Sequence, residues 1–555
     1  MKLIECVPNF SEGRDRGVID AITAEIEAVE GAMLLDVDPG AATNRTVVTF
    51  IGPPEAVEEA AFRAISKAAQ LIDMSKHSGA HARMGATDVC PLVPVQGATM
   101  EDCIEVAKRL GERVGEELDI PVFLYEHAAT KPERRSLAEI RKGEYEALPQ
   151  KLQDPDFAPD FGPAAFKPRH GATVIGAREF LIAYNININS RDKKIAKKIA
   201  MELREMGKLK RGADGKPVRD DKGKLVWVPG RFKELRGIGW YIEEFGRAQL
   251  SFNFTNYKVT SVHDVFDAAC EVAPQFGARV TGSELVGLIP MDAMLAAGTH
   301  YLTKQGQTTG VPVEEKLHAA NLSLGLSELY PFEAGEKIIE LKYQGAPEGL
   351  KAMTLHGFAD ELSSDSPAPG GGSVAALCGA LSAALSAMVA SLTWSKKGMQ
   401  DARPQMKEIG DSAQELKAWF VDAIDRDTDA FNDVLAAMRL PKKTDEEIAA
   451  REAAMESANQ LAAEVPLQVL RNAVACMEPA RIAAAHGNPA SVTDAGVAGA
   501  CALAAAEGAA LNVRINLGSI GDASVATAMK DETEKLIAEA RAQAEVIRQV
   551  VEQKL

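Results

Sequence analysis

The composition of the chain changes near residue 350, and one hydrophobic core does not suit both sides of that change. From Ala352 to the C-terminus 47 of 204 residues are alanine, and apolar positions recur at helical spacing. Before it, runs rich in β-branched residues alternate with helical stretches. An α/β region followed by an all-helical bundle is the fold class this pattern predicts. Its 555 residues also exceed what a single core usually serves. The stretch PFEAGEKIIELKYQGAPEGLKA, residues 331–352, has the proline and glycine punctuation of a linker, which leaves 353–555 as the helical domain.

Within the first region, strand-like runs near 46–51, 88–95 and 121–125 alternate with helical stretches near 55–73 and 99–118. A similar rhythm recurs, with strands at 179–188 and 248–256 and helices near 190–206 and 261–275. Two helix starts also match: GATMEDCIEVA and VTSVHDVFDAA each place a hydroxyl residue before an acidic first turn. We read two related α/β subdomains, 1–178 and 179–330, each a sheet with packed helices. A cleft between them is the natural ligand site. The charged, glycine-rich stretch 207–230 is read as an exposed hairpin or loop without catalytic duty.

Bulk properties narrow the function classes. A net charge of −17 opposes nonspecific binding to nucleic acid or anionic membrane, so an anionic ligand must find a local basic pocket. Seven scattered cysteines without a CxxC pair suit a reducing compartment, and MKLIECVPNFSEG lacks the apolar core of a secretory signal. A cytoplasmic location is expected. Residues 373–394 carry no charge and have the length of a membrane span. Their Ala, Ser and Gly content, with no comparable span elsewhere, identifies a buried bundle helix.

The stretch HSGAHARMGATDVCPLVPV, residues 77–95, crowds His77, His81, Arg83 and Asp88 before a strand. Histidines four apart share a helix face in zinc sites. Here Ser78 stands where such a motif has its glutamate, and Gly79 and Gly85 disfavour a helix, so metal is the weaker reading. Acid/base chemistry and histidines satisfied within a loop both remain open. LLDVDPGAATNRTVV places Asp36 and Asp38 at a strand end, beside a Pro-Gly turn and ahead of Asn44 and Arg45. These acids suit an imidazole or a substrate amine, and equally an ordinary turn. FGPAAFKPRHGATVIGAR, residues 161–178, joins Phe166 to Lys167, Arg169, His170 and Arg178, either as a cationic binding loop or as a basic linker. In the helical domain, Gly370, Gly371, Gly372 and Ser373 lead into a helix whose N–H groups suit an anion or folate. On the helix around 413–438, Asp422, Asp425 and Asp429 share a face that water can solvate. Asp427 falls instead in the stripe of Phe420, Ile424, Phe431, Val434 and Met438. Desolvation there favours its neutral form and prepares it for proton transfer.

Together ECVPNFSEG, LLDVD, TNRTV, LIDMSKHSGAHARMGATDVCP, APDFGPAAF, APGGGSVAA and LPKKT resemble the formimidoyltransferase-cyclodeaminase family over nearly the whole chain. The resemblance implies transfer of a formimidoyl group from N-formimidoyl-L-glutamate to tetrahydrofolate, then cyclisation to 5,10-methenyltetrahydrofolate with loss of ammonia, in histidine degradation. It places the transferase histidine at His81, a nearby site acid at Asp38 and the cyclodeaminase acid at Asp427. Its folate-binding segment falls on Gly162, Pro163, Ala164, Ala165, Phe166, Lys167, Pro168, Arg169, His170 and Gly171, with His170 where an aromatic is expected. Our own reading adds Arg45 or Arg83 as receiver of a substrate carboxylate. Neither metal nor organic cofactor is expected; tetrahydrofolate, possibly polyglutamylated, is substrate. A homo-oligomer is expected, ring-like by resemblance, and the amphipathic stretch Leu536, Ile537, Ala540, Ala544, Ile547 and Val551 suggests helix-mediated association. The competing readings are one active half, with a methenyltetrahydrofolate cyclohydrolase-like helical domain, and a non-catalytic folate-binding scaffold.

Overall fold

Along residues 45–50, buried Thr46, Val48 and Phe50 alternate with half-buried Arg45, Val47 and Thr49, because a strand sends alternate side chains to opposite faces. That alternation sets the architecture of the N-terminal region. The computed structural model describes residues 2–41, 43–79, 82–344, 349–365 and 368–555. Its first sheet contains β1 (Ile4–Cys6), β2 (Asn9–Phe10), β3 (Met33–Gly40), β4 (Arg45–Gly52), β5 (Thr87–Pro94), β6 (Val122–Glu126) and β7 (Thr173–Ala177). β3 pairs with β4, β1 and β2 both lie between β4 and β5, and β7 then β6 complete the order. Among the described strands of this sheet only β5–β7 and β7–β6 pair in parallel.

One face of this sheet presents Ile4, Cys6, Phe10, Val48, Phe50, Cys90 and Leu92 to the core beneath helices Arg16–Glu27, Pro54–Leu71 and Met100–Glu117. Over β5, β6 and β7 the opposite face is covered by Ile140, Leu148 and Leu152, which pack on Phe123, Tyr125 and Val174. Over β1, β2 and β4 it carries Glu5, Asn9, Arg45, Val47 and Thr49 and opens onto a cleft. Thus the same alternation builds a core on one side and a polar floor on the other.

β8 (Ile182–Ile188) opens the second subdomain. An exposed two-stranded hairpin follows, β9 (Lys208–Leu209) with β10 (Trp227–Val228), as the charged stretch predicts. β11 (Leu235–Ile242), β12 (Arg247–Phe254) and β13 (Val280–Val286) then form an antiparallel sheet with β8, in the order β11-β12-β8-β13. The matched helix starts are real caps. Thr99 and Asp102 form a reciprocal capping box, and Ser261 accepts from the Asp264 backbone N–H at 3.3 Å. Asn187, fully buried, donates to Glu328 at 2.8 Å and so ties residues 321–345 to this sheet. The chain accordingly divides into residues 1–294 with 321–345, and residues 295–320 with 346–555. Residues 295–320, which composition groups with the second subdomain, therefore count with the helical unit.

The helical unit is built from Gly371–Ser395, Arg403–Met438, Asp445–Ala475, Met477–His486, Val492–Leu517 and Ala523–Glu552. Alanines such as Ala376, Ala383, Ala502 and Ala509 are buried to within 1 % and allow the helices to approach closely. Three expectations need correction. Two helices, Gly371–Ser395 and Pro489–Leu517, are long and apolar enough to cross a membrane, where the sequence reading recognised one; both contribute buried alanines to the bundle core. The C-terminal stretch expected to mediate association is turned inward instead, with Ile537, Ala540, Ile547 and Val551 in the chain's own core. Nor is Asp425 simply solvated, although Asp422 and Asp429 on the same face are exposed as expected. Asp425 accepts from the Leu350 N–H at 2.7 Å and Asp422 pairs with Lys351 at 2.8 Å, so they hold the segment that enters the bundle. The Phe420 ring fills the space that a side chain at Gly379 would need. Phe420→Ala is expected to destabilise the helical unit by roughly 3–5 kcal/mol, read as a lower urea midpoint of its helical signal.

Candidate functional sites

The first site is the cleft of about 830 Å³ between the two subdomains. Its floor is the polar face of β1, β2, β4 and β5. The walls add Tyr125, Glu126, His127, Arg135 and Arg178 from the first subdomain, with Glu234, Arg236, Asn256 and Val286 from the second. Arg45 is anchored at this floor. Its Nε donates to Asn9 Oδ1 at 2.8 Å, and its guanidinium lies 3.5 Å from Asp88. Burial pulls its pKa down to about 10, with Asp88 opposing the shift. Asp88, 1 % exposed, also pairs with Arg141 and accepts from the Met84 N–H at 2.9 Å. This carboxylate fixes the strand, the far arginine and the end of the histidine-bearing segment together.

His81 lies outside the described residues, but the segments flanking it are well tied. Asn44, held in the left-handed region at φ 49°, donates to Ser78 O at 3.1 Å and accepts from Gly13 N at 3.0 Å. Both ring nitrogens of His77 are engaged. Nε2 lies 2.8 Å from Asn44 O, and Nδ1 is 3.3 Å from Arg83 Nε. Residues 74–76 form a single 3-10 turn and His77 is extended, so it occupies no helix face of the kind a paired-histidine zinc site needs. Gly85 crosses the chain near Gly171 so closely that a Cβ there would meet Ala172 O at 2.3 Å.

Asp38 stands opposite Val47 on β3 and so faces the cleft side of the sheet; it is exposed, and Asp36 rather than Asp38 lines the cleft itself. Arg83 is committed elsewhere, to Glu144 at 3.1 Å and Glu146 at 2.7 Å, and does not line the cleft. Among the two arginines expected to receive a carboxylate, Arg45 alone is a cleft residue. The segment Gly162–Gly171 packs against the histidine-bearing segment, yet none of its residues lines the cleft. Phe166 faces Tyr145 at 5.4 Å, Lys167 pairs with Asp119, and Arg169 donates to Gln70 O at 2.5 Å. His170 is half-buried, and burial lowers its pKa. Arg178, named in the cationic stretch 161–178, is a cleft residue, as are Glu5, Arg135 and Arg236, which the sequence reading did not assign. Glu5 carried a signal, a charge at the centre of an apolar strand; Arg236 had none, because it arrives from the second subdomain.

The second site unites two features that the sequence reading kept apart. The helix Gly371–Ser395 begins against Asp427, whose carboxylate accepts the Ser373 backbone N–H. A Cβ on Gly372 would lie 2.0 Å from that carboxylate, so any larger residue there would have to displace the acid. Ser373 is fully buried and donates from Oγ to Ile424 O at 2.9 Å. Asn512 completes the corner, its amide nitrogen 3.4 Å from the Cβ position of Gly371. Burial raises the Asp427 pKa, and the Ser373 N–H moderates the shift. The helix N-terminus expected to hold an anion is thus partly answered by the chain's own acid. The stripe into which Asp427 was placed ends sooner than the wheel suggests: Phe420 and Ile424 are buried, but Phe431 and Met438 are 41 % and 49 % exposed.

Three family models match in series: the formiminotransferase domain, N-terminal subdomain, at residues 3–178, the formiminotransferase domain at 183–344, and formiminotransferase-cyclodeaminase at 354–535. The formimidoyltransferase-cyclodeaminase of Mus musculus is 43 % identical over 549 residues, covering 98 % of each chain. The chain belongs to the formimidoyltransferase-cyclodeaminase family. Members and partial relatives align with its two units separately as well. A glutamate formimidoyltransferase of Streptococcus pyogenes is 40 % identical over 54 % of this chain and 93 % of its own length. A methenyltetrahydrofolate cyclohydrolase of Methylorubrum extorquens is 39 % identical over 36 % of this chain and 97 % of its own. In this family member, Asp88→Ala leaves two half-buried arginines without their shared carboxylate. The substitution is expected to cost about 3–5 kcal/mol, measured as a loss of urea stability in the first unit.

Proposed function

We propose that the α/β unit transfers the formimidoyl group from N-formimidoyl-L-glutamate to N5 of tetrahydrofolate, and that the helical unit closes N10 onto the same carbon and expels ammonia. The observation that carries the reading is the pair of separate polar sites in a chain aligned end to end with a bifunctional relative. Transfer needs proton movement among nitrogens at an amidine carbon, and imidazole titrates near working pH. His81 is the proposed acid/base, with Asp38 orienting it or stabilising its cation. Arg45, with its side chain at the cleft floor, is the proposed receiver of a glutamate carboxylate. The segment Gly162–Gly171 is proposed to contact folate through its association with the histidine-bearing segment.

Cyclisation needs a proton for the departing ammonia. Asp427 supplies it in this reading, because burial keeps its carboxyl protonated to higher pH than an ordinary aspartate. Gly370, Gly371, Gly372 and Ser373 shape the place where that proton is delivered. The reaction as proposed uses neither metal nor organic cofactor, and proceeds in the cytoplasm as a step of histidine degradation. Association into a homo-oligomer is proposed through exposed apolar positions on Gly371–Ser395, among them Leu381, Met388 and Leu392.

Purified protein given both substrates is expected to release ammonia and develop the near-ultraviolet absorbance of the methenyl product. His81→Ala should remove transfer while leaving cyclisation of supplied 5-formimidoyltetrahydrofolate intact; a variant that still transfers at the native rate would remove His81 from the mechanism. Asp427→Asn should show the converse, retaining transfer and losing cyclisation by at least about 10²-fold. Because the acid acts protonated, the native cyclisation rate should fall as pH rises through the raised Asp427 pKa. A rate that climbs instead over that range would assign Asp427 the role of base.

A further inference from the structure

Two carboxylates are buried among the described residues, and the fold treats them differently. Asp88 has Arg45, Arg141 and a backbone N–H. Glu5 is 5 % exposed, lines the cleft, and receives no hydrogen bond or ion pair from any described residue. Its strand neighbours across β4 and β5 are Ile51 and Val93, which offer nothing polar from their side chains. Arg178, just beyond β7, lines the same cleft and makes no ion pair with any described residue either; among these its guanidinium donates only to the Glu179 backbone oxygen at 2.9 Å. The two groups feel each other's charge but do not touch.

Burying an unpaired carboxylate is unfavourable, and a fold that keeps one at a cavity surface leaves it for an incoming donor. A ligand group lodged between Glu5 and Arg178 must offer donors on one side and an acceptor on the other. Glu5 and Asn9 oppose Val93 and Val89 on β5. Their strand positions are therefore about 13 Å apart along the floor, and Arg45 lies at the Asn9 end. A flat heterocycle spans such a floor with one edge at each end.

Resting on the proposed transfer in the α/β unit, and placing its tetrahydrofolate in the cleft whose floor holds Arg45, we propose that Glu5 and Arg178 read the 2-amino-4-oxopyrimidine edge of the folate ring. The Glu5 carboxylate accepts from the ring N3–H and the exocyclic amine, and Arg178 donates to the 4-oxo oxygen. This fixes which edge of the ring meets the Asn9 and Arg45 end, where transfer is proposed. Burial lifts the ligand-free Glu5 pKa to about 7, Arg178 opposes the shift and Glu340 adds to it. Asp36, Glu126, His127 and Glu179 also line the cleft and face the same space. A ligand that needs the ionised carboxylate binds more tightly as pH rises through that value.

The test uses the full-length protein, tetrahydrofolate monoglutamate and N-formimidoyl-L-glutamate. Glu5→Gln is expected to raise the KM for tetrahydrofolate at pH 8 by about 10-fold or more, with the KM for formimidoylglutamate little changed. Native affinity for tetrahydrofolate should weaken as pH falls below about 7, and this dependence should be absent in Glu5→Gln. Ligand-free Glu5→Gln should melt no lower than the native protein at pH 8, since a raised carboxyl pKa means that ionisation opposes folding. Unchanged KM values, a rise in the formimidoylglutamate KM alone, native binding that tightens as pH falls, or a lowered melting temperature would each overturn the assignment. Thr49→Trp, which fills the cleft from β4, separates the two claims. If it leaves transfer kinetics intact, the cleft is not the folate site; if it raises the tetrahydrofolate KM while Glu5→Gln does not, only the role of Glu5 falls.

Discussion

Asp88 is 1 % exposed and lies between two arginines from different parts of the chain, Arg45 on β4 and Arg141 beyond β6. A carboxylate so deeply buried persists only with its charge and lone pairs matched, and here the Met84 N–H supplies the remaining bond. The consequence is geometric. Arg45 is held at the cleft floor, the polypeptide just after His81 is pinned at Met84, and the covering segment around Arg141 is drawn onto the sheet. Asn44 makes a parallel clamp on the other side of His81 through Ser78. The proposed transferase chemistry depends on this frame, because a proton carrier must be delivered to one place and the described residues on either side of it are tied down.

The helical unit reaches a comparable result with the opposite means. Among the described residues no arginine holds Asp427. Its neighbours are Gly372, which gives way to it, and the backbone N–H of Ser373. One neutral donor stabilises a carboxylate less than a guanidinium does, so desolvation prevails and the neutral form is favoured. The contrast separates the roles: Asp88 is a charged structural anchor, whereas Asp427 is poised to exchange a proton. The two acids share a residue type and differ only in what surrounds them.

Much of the architecture was legible because periodicity is local. The runs at 46–51, 88–95 and 121–125 became β4, β5 and β6, and both hydroxyl-capped helix starts formed as expected. Asp427 stood out on a helical wheel for the same reason. Failures came where an outcome depended on what lay across from a residue. Arg83 looked available for substrate until Glu144 and Glu146 met it. The apolar stripe of Ala523–Glu552 was rightly recognised as a contact face, but its partner proved to be the chain's own bundle. The solvated acids Asp422 and Asp425 found Lys351 and the Leu350 N–H through a reversal of the chain that no local pattern announces.

The sequence by itself determined the division into α/β and helical parts, the repeated subdomain, the alternation that makes one sheet face apolar and the other polar, and the isolation of Asp427. These follow from spacing along one chain, where residues two or about three and a half apart necessarily share a side. Only the tertiary structure decided that Gly372 and Asp427 form one corner, that Arg45 lies at the cleft floor while Arg83 does not, and that Glu5 is left without a partner among the described residues. Such facts depend on contacts between residues far apart in sequence, 55 positions for Gly372 and Asp427. A charged side chain's role is set by whether an opposite charge reaches it, and that is a property of the folded neighbourhood.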